Sequence, residues 1–110
     1  MHRQHFKQLN KTINKSIAEK ELEDFDLVFK ALAHQSRRNI LTVLQARGGT
    51  MTAGDIVSRF GFAWPTMTRH LQQLEKAGLI KVDKISREQH YTLNGERLKT
   101  VLNSWLKWLK

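Results

Sequence analysis

Apolar side chains recur at steps of three and four residues through the first half of the chain, which is the period of an amphipathic α-helix. One stripe begins at Phe6, and a second runs from Leu22 to Leu32. A third helix is predicted from Arg37 to the glycine pair 48–49, because glycine readily takes the left-handed conformation that ends a helix. Three helices are therefore expected before residue 50.

Two shorter helices should follow, joined by a tight turn at residues 61–63. Thr52 can start the first, since its hydroxyl can accept a hydrogen bond from the backbone N–H of Asp55. Pro65 falls in the first turn of the second, where its missing N–H costs nothing. This second helix should end at Gly78.

The hydrophobic period then changes to two, which predicts a β-hairpin. Ile80 and Val82 alternate with polar residues, 85–88 connects, and 89–93 returns as the second strand. A last amphipathic helix follows Gly95. Its apolar face carries Leu98, Val101, Leu102, Trp105, Trp108 and Leu109.

Length and composition restrict the class of protein. The chain has 110 residues, which fits one domain, and it contains no cysteine, which excludes disulfides, thiolate metal sites and cysteine nucleophiles. No apolar run approaches the ~20 residues that span a bilayer, so we expect a cytoplasmic protein. The formal net charge of +9 indicates an anionic partner, with nucleic acid first and an acidic membrane surface or protein second.

The positive charge is unevenly distributed. Residues 1–26 hold five basic and five acidic side chains, so the whole surplus lies in residues 27–110. We therefore predict an N-terminal amphipathic helical extension over 1–24 and a separate domain over 25–110. The alternative that assigns no function to the extension is a solvated surface helix or a frayed arm.

The order of elements in the domain points to a fold class. A short helix joined to a second one by a small turn with glycine is typical of a helix-turn-helix, and a following hairpin makes it a winged helix. The second helix suits the major groove of DNA, where its N-terminal residues reach base edges. The prediction is a mainly α fold with a small β-hairpin, a winged helix-turn-helix DNA-binding domain.

Several separated sequence motifs, in the same order and at similar spacing, resemble those of a known protein family. Over residues 25–110 the chain resembles the ArsR/SmtB family of bacterial repressors. The segments that carry the resemblance are FKALAH at 29–34, RRNIL at 37–41, MTAGDI at 51–56, PTMTRHL at 65–71, Leu79-Ile80 and Tyr91-Thr92-Leu93. The resemblance implies a homodimer whose terminal helices form the interface.

The chain departs from the family pattern at three positions. Ser86 stands where the hairpin usually carries glycine, and Ala63 or Trp64 stands in place of a serine cap on the recognition helix. His34-Gln35 replaces an Asp-Pro pair. The hairpin turn and the starts of two helices are therefore expected to be built differently here.

Helical geometry selects the DNA-binding candidates. With Met67 at the centre of the buried face, a rotation of about 100° per residue places Arg69 nearly opposite. Arginine can bind guanine or phosphate, and threonine can reach phosphate or a thymine methyl. The predicted DNA contacts are Trp64, Thr66, Thr68, Arg69, His70 and Gln72 on the helix, and Lys84 and Arg87 on the hairpin.

Some of these side chains have alternative roles. Arg69 could be only a solvated helix residue, and His70 could pack at the helix junction. Trp64 could stack on sugar and phosphate or be an ordinary exposed residue. Arg37 and Arg38 could contact the DNA backbone, although an intramolecular ion pair for one of them is favoured.

The terminal helices are predicted to pair across a two-fold axis. Trp105 and Trp108 could form a ligand-binding aromatic pair, but their helical spacing favours core or dimer interface. The predicted interface residues are Phe6, Leu9, Ile13, Ile17, Leu98, Val101, Leu102, Trp105, Trp108 and Leu109.

Metal sensing and catalysis have little support in the sequence. The family's metal sites use cysteines on the first helix of the DNA-binding pair, or histidine and carboxylate ligands on the terminal helix. Residues 52–60 contain neither cysteine nor histidine, and the terminal helix offers only Glu96. His2 and His5 could share a helical face but make a weak site. We predict no metal, no cofactor and no enzymatic activity.

The sequence thus predicts a DNA-binding repressor that binds an inverted-repeat operator in double-stranded DNA as a homodimer, with no membrane partner. The effector remains unidentified. Two other hypotheses stay open. One is an interaction protein that uses its winged helix and basic N-terminal helix on protein or acidic membrane, and the other is a metal-responsive repressor.

Overall fold

A computed structural model describes residues 16–109, which form five helices and one small sheet. In chain order the elements are α1 Ile17–Leu32, α2 Gln35–Ala46, β1 Thr50–Thr52, α3 Ala53–Phe60, α4 Trp64–Lys76, β2 Ile80–Ile85, β3 Glu88–Leu93 and α5 Gly95–Lys107. Helix α1 runs without a break through residues 24 and 25, where the extension was expected to meet the domain. Predictions at His2, His5, Phe6, Leu9 and Ile13 lie outside the described residues.

Side-chain caps fix where four of the described helices start, and Ser16 supplies the cap of α1. The predicted cap is confirmed at α3, where the Thr52 hydroxyl accepts a hydrogen bond from the Asp55 N–H at 3.1 Å. His34 caps α2 with its imidazole, since its Nδ1 accepts from the Ser36 N–H at 3.1 Å. Asn94 caps α5 in the same manner. The departure at His34-Gln35 thus replaces one helix start with another of similar function.

The sheet is antiparallel and has three strands, in the order β1-β3-β2. The predicted hairpin is confirmed as β2 and β3, but β3 begins at Glu88, so the turn contains only Ser86 and Arg87. Strand β1 was missed because three residues are too few to show a period of two. It pairs with the buried side of the hairpin through Met51, which lies opposite Tyr91.

The core lies between the sheet and the five described helices, each of which contributes at least one buried residue. The predicted buried face of α4 is confirmed, because Met67, Leu71 and Leu74 are all buried. This places the opposite face of α4 in solvent. The residues that α4 packs among include Phe25, Val28 and Ala31 of α1, Ile40, Leu41 and Leu44 of α2, and Ile56, Leu79, Ile80, Tyr91 and Val101.

Arg97 at the start of α5 connects three elements. Its Nε–H donates to the Ala77 carbonyl at 3.2 Å, and its Nη2 donates to Oδ1 of Asp24 at 3.1 Å. Lys20 lies 3.5 Å from the same carboxylate oxygen. Burial alone would raise the pKa of Asp24, but the hydrogen bond and charge of Arg97, with Lys20, hold it below its ordinary value of 3.8. Arg97 therefore fixes the C-terminal end of α4 against α1 and α5.

Within residues 16–109, no helix is long and apolar enough to cross a membrane.

Candidate nucleic-acid interface

The turn between α3 and α4 is fixed by backbone and aromatic contacts. Gly61 takes a left-handed conformation, with φ of 69°, and its N–H donates to the Val57 carbonyl at 2.8 Å. On either side of it the rings of Phe60 and Phe62 stack with their centroids 5.9 Å apart. Phe62 also contacts the ring of His70, 5.6 Å away between centroids. The turn therefore sets the angle at which α4 leaves α3.

Helix α4 presents a polar ridge to solvent. It starts without a side-chain cap after Ala63, as the departure from the family pattern predicts, and Pro65 lies in its first turn. Trp64 is 54% exposed at the tip of the helix. Thr68, Arg69 and Gln72 are exposed, and Thr66 is half-buried. Five of the six predicted contacts on α4 are thus accessible to a ligand.

The hairpin adds two cations beside this ridge, since Lys84 and Arg87 are both exposed. Between the hairpin and the N-terminal ends of α3 and α4 lies an open cleft of about 520 Å³. Its lining residues are Thr52, Ala53, Gly54, Trp64, Lys84, Arg87, Glu88 and Gln89. The structure thus brings Trp64 of the helix together with the two predicted cations of the hairpin.

Gln89 and the start of α3 were not among the predicted site residues. They reach the cleft because β1 pairs with β3, which carries the N-terminal end of α3 to the base of the hairpin. The Gln89 side chain is positioned by Tyr91, whose hydroxyl donates to Oε1 of Gln89 at 2.9 Å. Burial, followed by the charge of Glu75, raises the pKa of Tyr91, so this hydroxyl keeps its proton. Only the missed strand could have indicated these residues.

His70 occupies a different place from the other residues predicted on α4. Its side chain is only 8% exposed. Nδ1 of the ring lies 3.3 Å from Nη1 of Arg37, and the ring of His34 lies 4.6 Å away between centroids. Of the two roles considered for His70, this geometry favours packing at the helix junction over contact with DNA.

Arg37 and Arg38 both bind the C-terminal end of α1. Arg37 donates from Nε to the Ala31 carbonyl at 2.8 Å, and Arg38 donates from Nη1 to the Leu32 carbonyl at 2.7 Å. The ion pair favoured for one of them is thus replaced by hydrogen bonds to carbonyls. The reason is that a helix end leaves several carbonyls without intrahelical partners, and guanidinium groups can supply donors.

The predicted dimer residues divide into two groups. Val101 is 4% exposed and Leu98 packs against the core, so both face into their own protomer, which corrects their assignment to an interface. Leu102 is half-buried. The large exposed apolar side chains of α1 and of the C-terminal segment are together called the terminal apolar surface: Ile17, Leu22, Trp105, Leu106, Trp108 and Leu109.

The terminal apolar surface spans the ends of α1 and α5, which pack on one another. Glu21 and Trp108 line one shallow depression, and the ring of Trp105 meets Phe29 edge-on at 5.0 Å between centroids. Leu22 and Leu106 were not predicted to belong to an interface. An exposed apolar surface of this kind usually marks an interaction site.

Potential metal ligands do not cluster in the described part of the chain. Among residues 16–109, no three His, Cys, Asp or Glu side chains are grouped so that they could hold a metal ion.

Comparison with known proteins places this geometry in a family. A family model described as a helix-turn-helix domain matches residues 32–83. The transcriptional repressor SdpR of Bacillus subtilis is 38% identical over 82 residues, which cover 74% of this chain and 84% of the repressor. The arsenical resistance operon repressor of Staphylococcus xylosus is 30% identical over 76 residues, covering 69% and 71%.

A solved structure gives the same result for the fold. The crystal structure of an ArsR family transcriptional regulator superposes with a TM-score of 0.70 at 29% identity. The match covers 79% of this chain and 87% of that one.

Fold and interface together define a winged helix-turn-helix transcriptional regulator. The chain belongs to the ArsR family of DNA-binding transcriptional repressors, as the sequence motifs predicted. These proteins are regulators and not enzymes, and they act on DNA.

Proposed function

We propose that this protein represses transcription as a homodimer that binds an inverted-repeat operator. The observation that carries the proposal is the polar ridge of α4, with Arg69 exposed at its centre, beside a cleft that two hairpin cations line. A major groove about 12 Å wide admits an α-helix such as α4. The cleft beside it then faces the adjacent sugar–phosphate backbone.

The proposed contacts divide by their chemistry. Arg69 and Gln72 read base edges, because both side chains can make two hydrogen bonds to one base. Thr66 and Thr68 contact phosphate or a thymine methyl. Trp64 packs against sugar and phosphate in the cleft, and Lys84 and Arg87 bind phosphates on its other side. His70 is omitted from this set because it is buried.

The homodimer is proposed from the terminal apolar surface. Two copies related by a two-fold axis would cover this surface on each other, since the same residues occur on both sides of such an interface. The two recognition helices would then enter successive major grooves, about 34 Å apart. A bound dimer would exclude RNA polymerase from a promoter that contains the operator.

Selection from random duplex DNA tests this proposal. The purified full chain is mixed with a pool of randomised duplexes, and the bound molecules are sequenced after several rounds. We expect enrichment of one inverted repeat whose half-sites lie one helical turn apart. The logarithm of the affinity for the enriched duplex should fall linearly with the logarithm of the salt concentration. The slope should be about −0.9 for each phosphate that the protein neutralises. If no duplex sequence is preferred over random DNA, the proposal is wrong.

The dimer is tested by charging the terminal apolar surface. We expect Leu106→Glu to shift the protein from two chains to one in sedimentation velocity, because a carboxylate at the interface would lose its hydration without a partner. Thr100→Glu is the matched control, since Thr100 is exposed on the same helix but points away from the apolar stripe. A dimer that persists in Leu106→Glu, or that is lost equally in the control, would contradict this interface.

A further inference from the structure

Helix α4 is connected to α1 through two buried or half-buried side chains. Arg37 donates from Nε to the Ala31 carbonyl at 2.8 Å and from Nη2 to the Lys30 carbonyl at 3.2 Å. Its remaining nitrogen, Nη1, lies 3.3 Å from Nδ1 of His70 on α4. One guanidinium group therefore joins the C-terminal end of α1, helix α2 and the recognition helix.

The protonation state of His70 follows from this arrangement. A guanidinium group has only donors, so Nδ1 must accept, and the neutral ring carries its proton on Nε2. A second proton would occupy Nδ1 and remove the acceptor. It would also place a positive charge beside Arg37.

The titratable and charged groups that face His70 all oppose such a proton. They are Arg37 of α2, Arg69 of α4 itself, and His34 of the turn between α1 and α2. Phe62, from the turn before α4, covers another part of the ring without offering an acceptor. Burial first, and then these three groups, lower the pKa of His70 below its ordinary value of 6.5.

Resting on the proposed function, we infer that Arg37 and His70 form a proton-sensitive latch that seats the recognition helix. Arg37 is the fixed half, because α1 holds it through two carbonyls. His70 is the movable half, and it adjoins Arg69 and lies two residues before Gln72. When the ring is protonated, the latch opens, α4 loosens, and these two reading side chains lose their positions.

The direction of the pH effect follows from linkage. Since the pKa of His70 is lowered by folding, the unfolded chain binds more protons than the folded chain just below pH 6.5. The contribution of neutral His70 to stability is therefore present above pH 6.5 and is lost as the pH falls through the lowered pKa. Sequence-specific DNA affinity should fall over the same interval, because it depends on the seated helix.

This direction is opposite to the general electrostatic effect of acid. Protonation of exposed histidines adds positive charge, which strengthens binding to phosphates. A fall in affinity on acidification would therefore not arise from net charge.

The latch is first tested in the full chain without DNA. Protein labelled with 15N at histidine is titrated from pH 8 to pH 5 while two-bond 1H–15N spectra report the tautomer of each ring. We expect His70 to carry its proton on Nε2 at neutral pH and to titrate below 6.5. Amide exchange of α4 should accelerate over the same interval. A ring that is protonated on Nδ1, or that titrates at or above 6.5, overturns the latch.

Variants then separate the latch from ordinary packing. Asn places an amide oxygen where Nδ1 of histidine lies and does not titrate, so His70→Asn should bind the selected operator at neutral pH and lose the response to acid. His70→Phe keeps a ring but no acceptor, and its affinity should fall on the order of tenfold per protomer at every pH. His90→Asn, on β3, is the control and should keep the acid response.

The outcomes distinguish the latch from the proposed function. If selection yields no preferred duplex, the proposed function fails, while the tautomer, titration and amide exchange of α4 still decide the latch. If the operator is found and its affinity in His70→Asn still falls with acid as in the natural chain, the latch is wrong and the proposed function stands. Thermal unfolding at each pH confirms that every variant is folded.

Discussion

Arg69→Ala is expected to weaken binding of the dimer to its operator by about 2–6 kcal/mol, since one specific arginine contact contributes about 1–3 kcal/mol and each dimer makes it twice. Arg69 lies at the centre of the exposed ridge, with its neighbours Met67 and His70 both buried. Fluorescence anisotropy with the selected duplex measures the change. A scrambled duplex of equal composition separates loss of specificity from loss of charge.

The matched control for Arg69 is Arg47→Ala. Arg47 is exposed at the C-terminal end of α2, outside the proposed interface, and its removal deletes the same charge. Lys84→Ala offers a second comparison, since a phosphate contact should weaken binding to all sequences alike. If Arg69→Ala changes operator affinity no more than Arg47→Ala does, Arg69 is only a solvated helix residue.

Leu74→Ala is expected to lower the free energy of unfolding by about 2–5 kcal/mol, the range for removing a buried leucine side chain and leaving a cavity. Leu74 is fully buried at 0% exposure, on the face of α4 that packs into the core. Urea unfolding followed by circular dichroism measures the loss. The DNA affinity of this variant should fall only under conditions in which a fraction of its molecules is unfolded.

The control for Leu74 lies on the same helix. Gln72 is exposed, so Gln72→Ala should change the free energy of unfolding by no more than about 0.5 kcal/mol. A loss below about 1 kcal/mol in Leu74→Ala would show that the core around α4 is less closely packed than the structure indicates.

Local signals made most of the fold predictable. The threonine cap at α3, the proline in the first turn of α4 and the alternation that begins at Ile80 each act within a few residues of their own element. Strand β1 escaped prediction because its pairing with β3 is a contact across about 40 residues of chain. A three-residue strand carries too little local pattern to reveal such a contact.

The site was predictable on the outer face of α4 and ambiguous at its flanks. Arg69 is placed by helical geometry alone, but His70 lies at the edge of the buried face. Its environment depends on Arg37 in the first turn of α2 and on His34 just before that helix, both more than 30 residues earlier in the chain. Sequence periodicity therefore left two roles for His70, and only the tertiary contacts favoured one.

The terminal helix shows another limit of periodicity. Val101 and Trp108 belong to one apolar stripe, yet Val101 is buried in the core and Trp108 is exposed. The stripe is the same whether a helix packs on its own chain or on a partner. What differs is how far the core extends along α5, and this is set by the position of α1.

In the turn of the hairpin, a strained backbone carries one of the cations that we propose to bind phosphate. Ser86 and Arg87 both take positive φ, 50° and 75°, which costs a residue with a side chain about 1–2 kcal/mol. Glycine would relax the tip, but at position 87 it would leave no guanidinium there. At position 87, glycine would therefore lower the cost of the backbone conformation, whereas arginine retains the positive charge. The chain thus tolerates a strained backbone at the last residue of the turn and keeps a cation there.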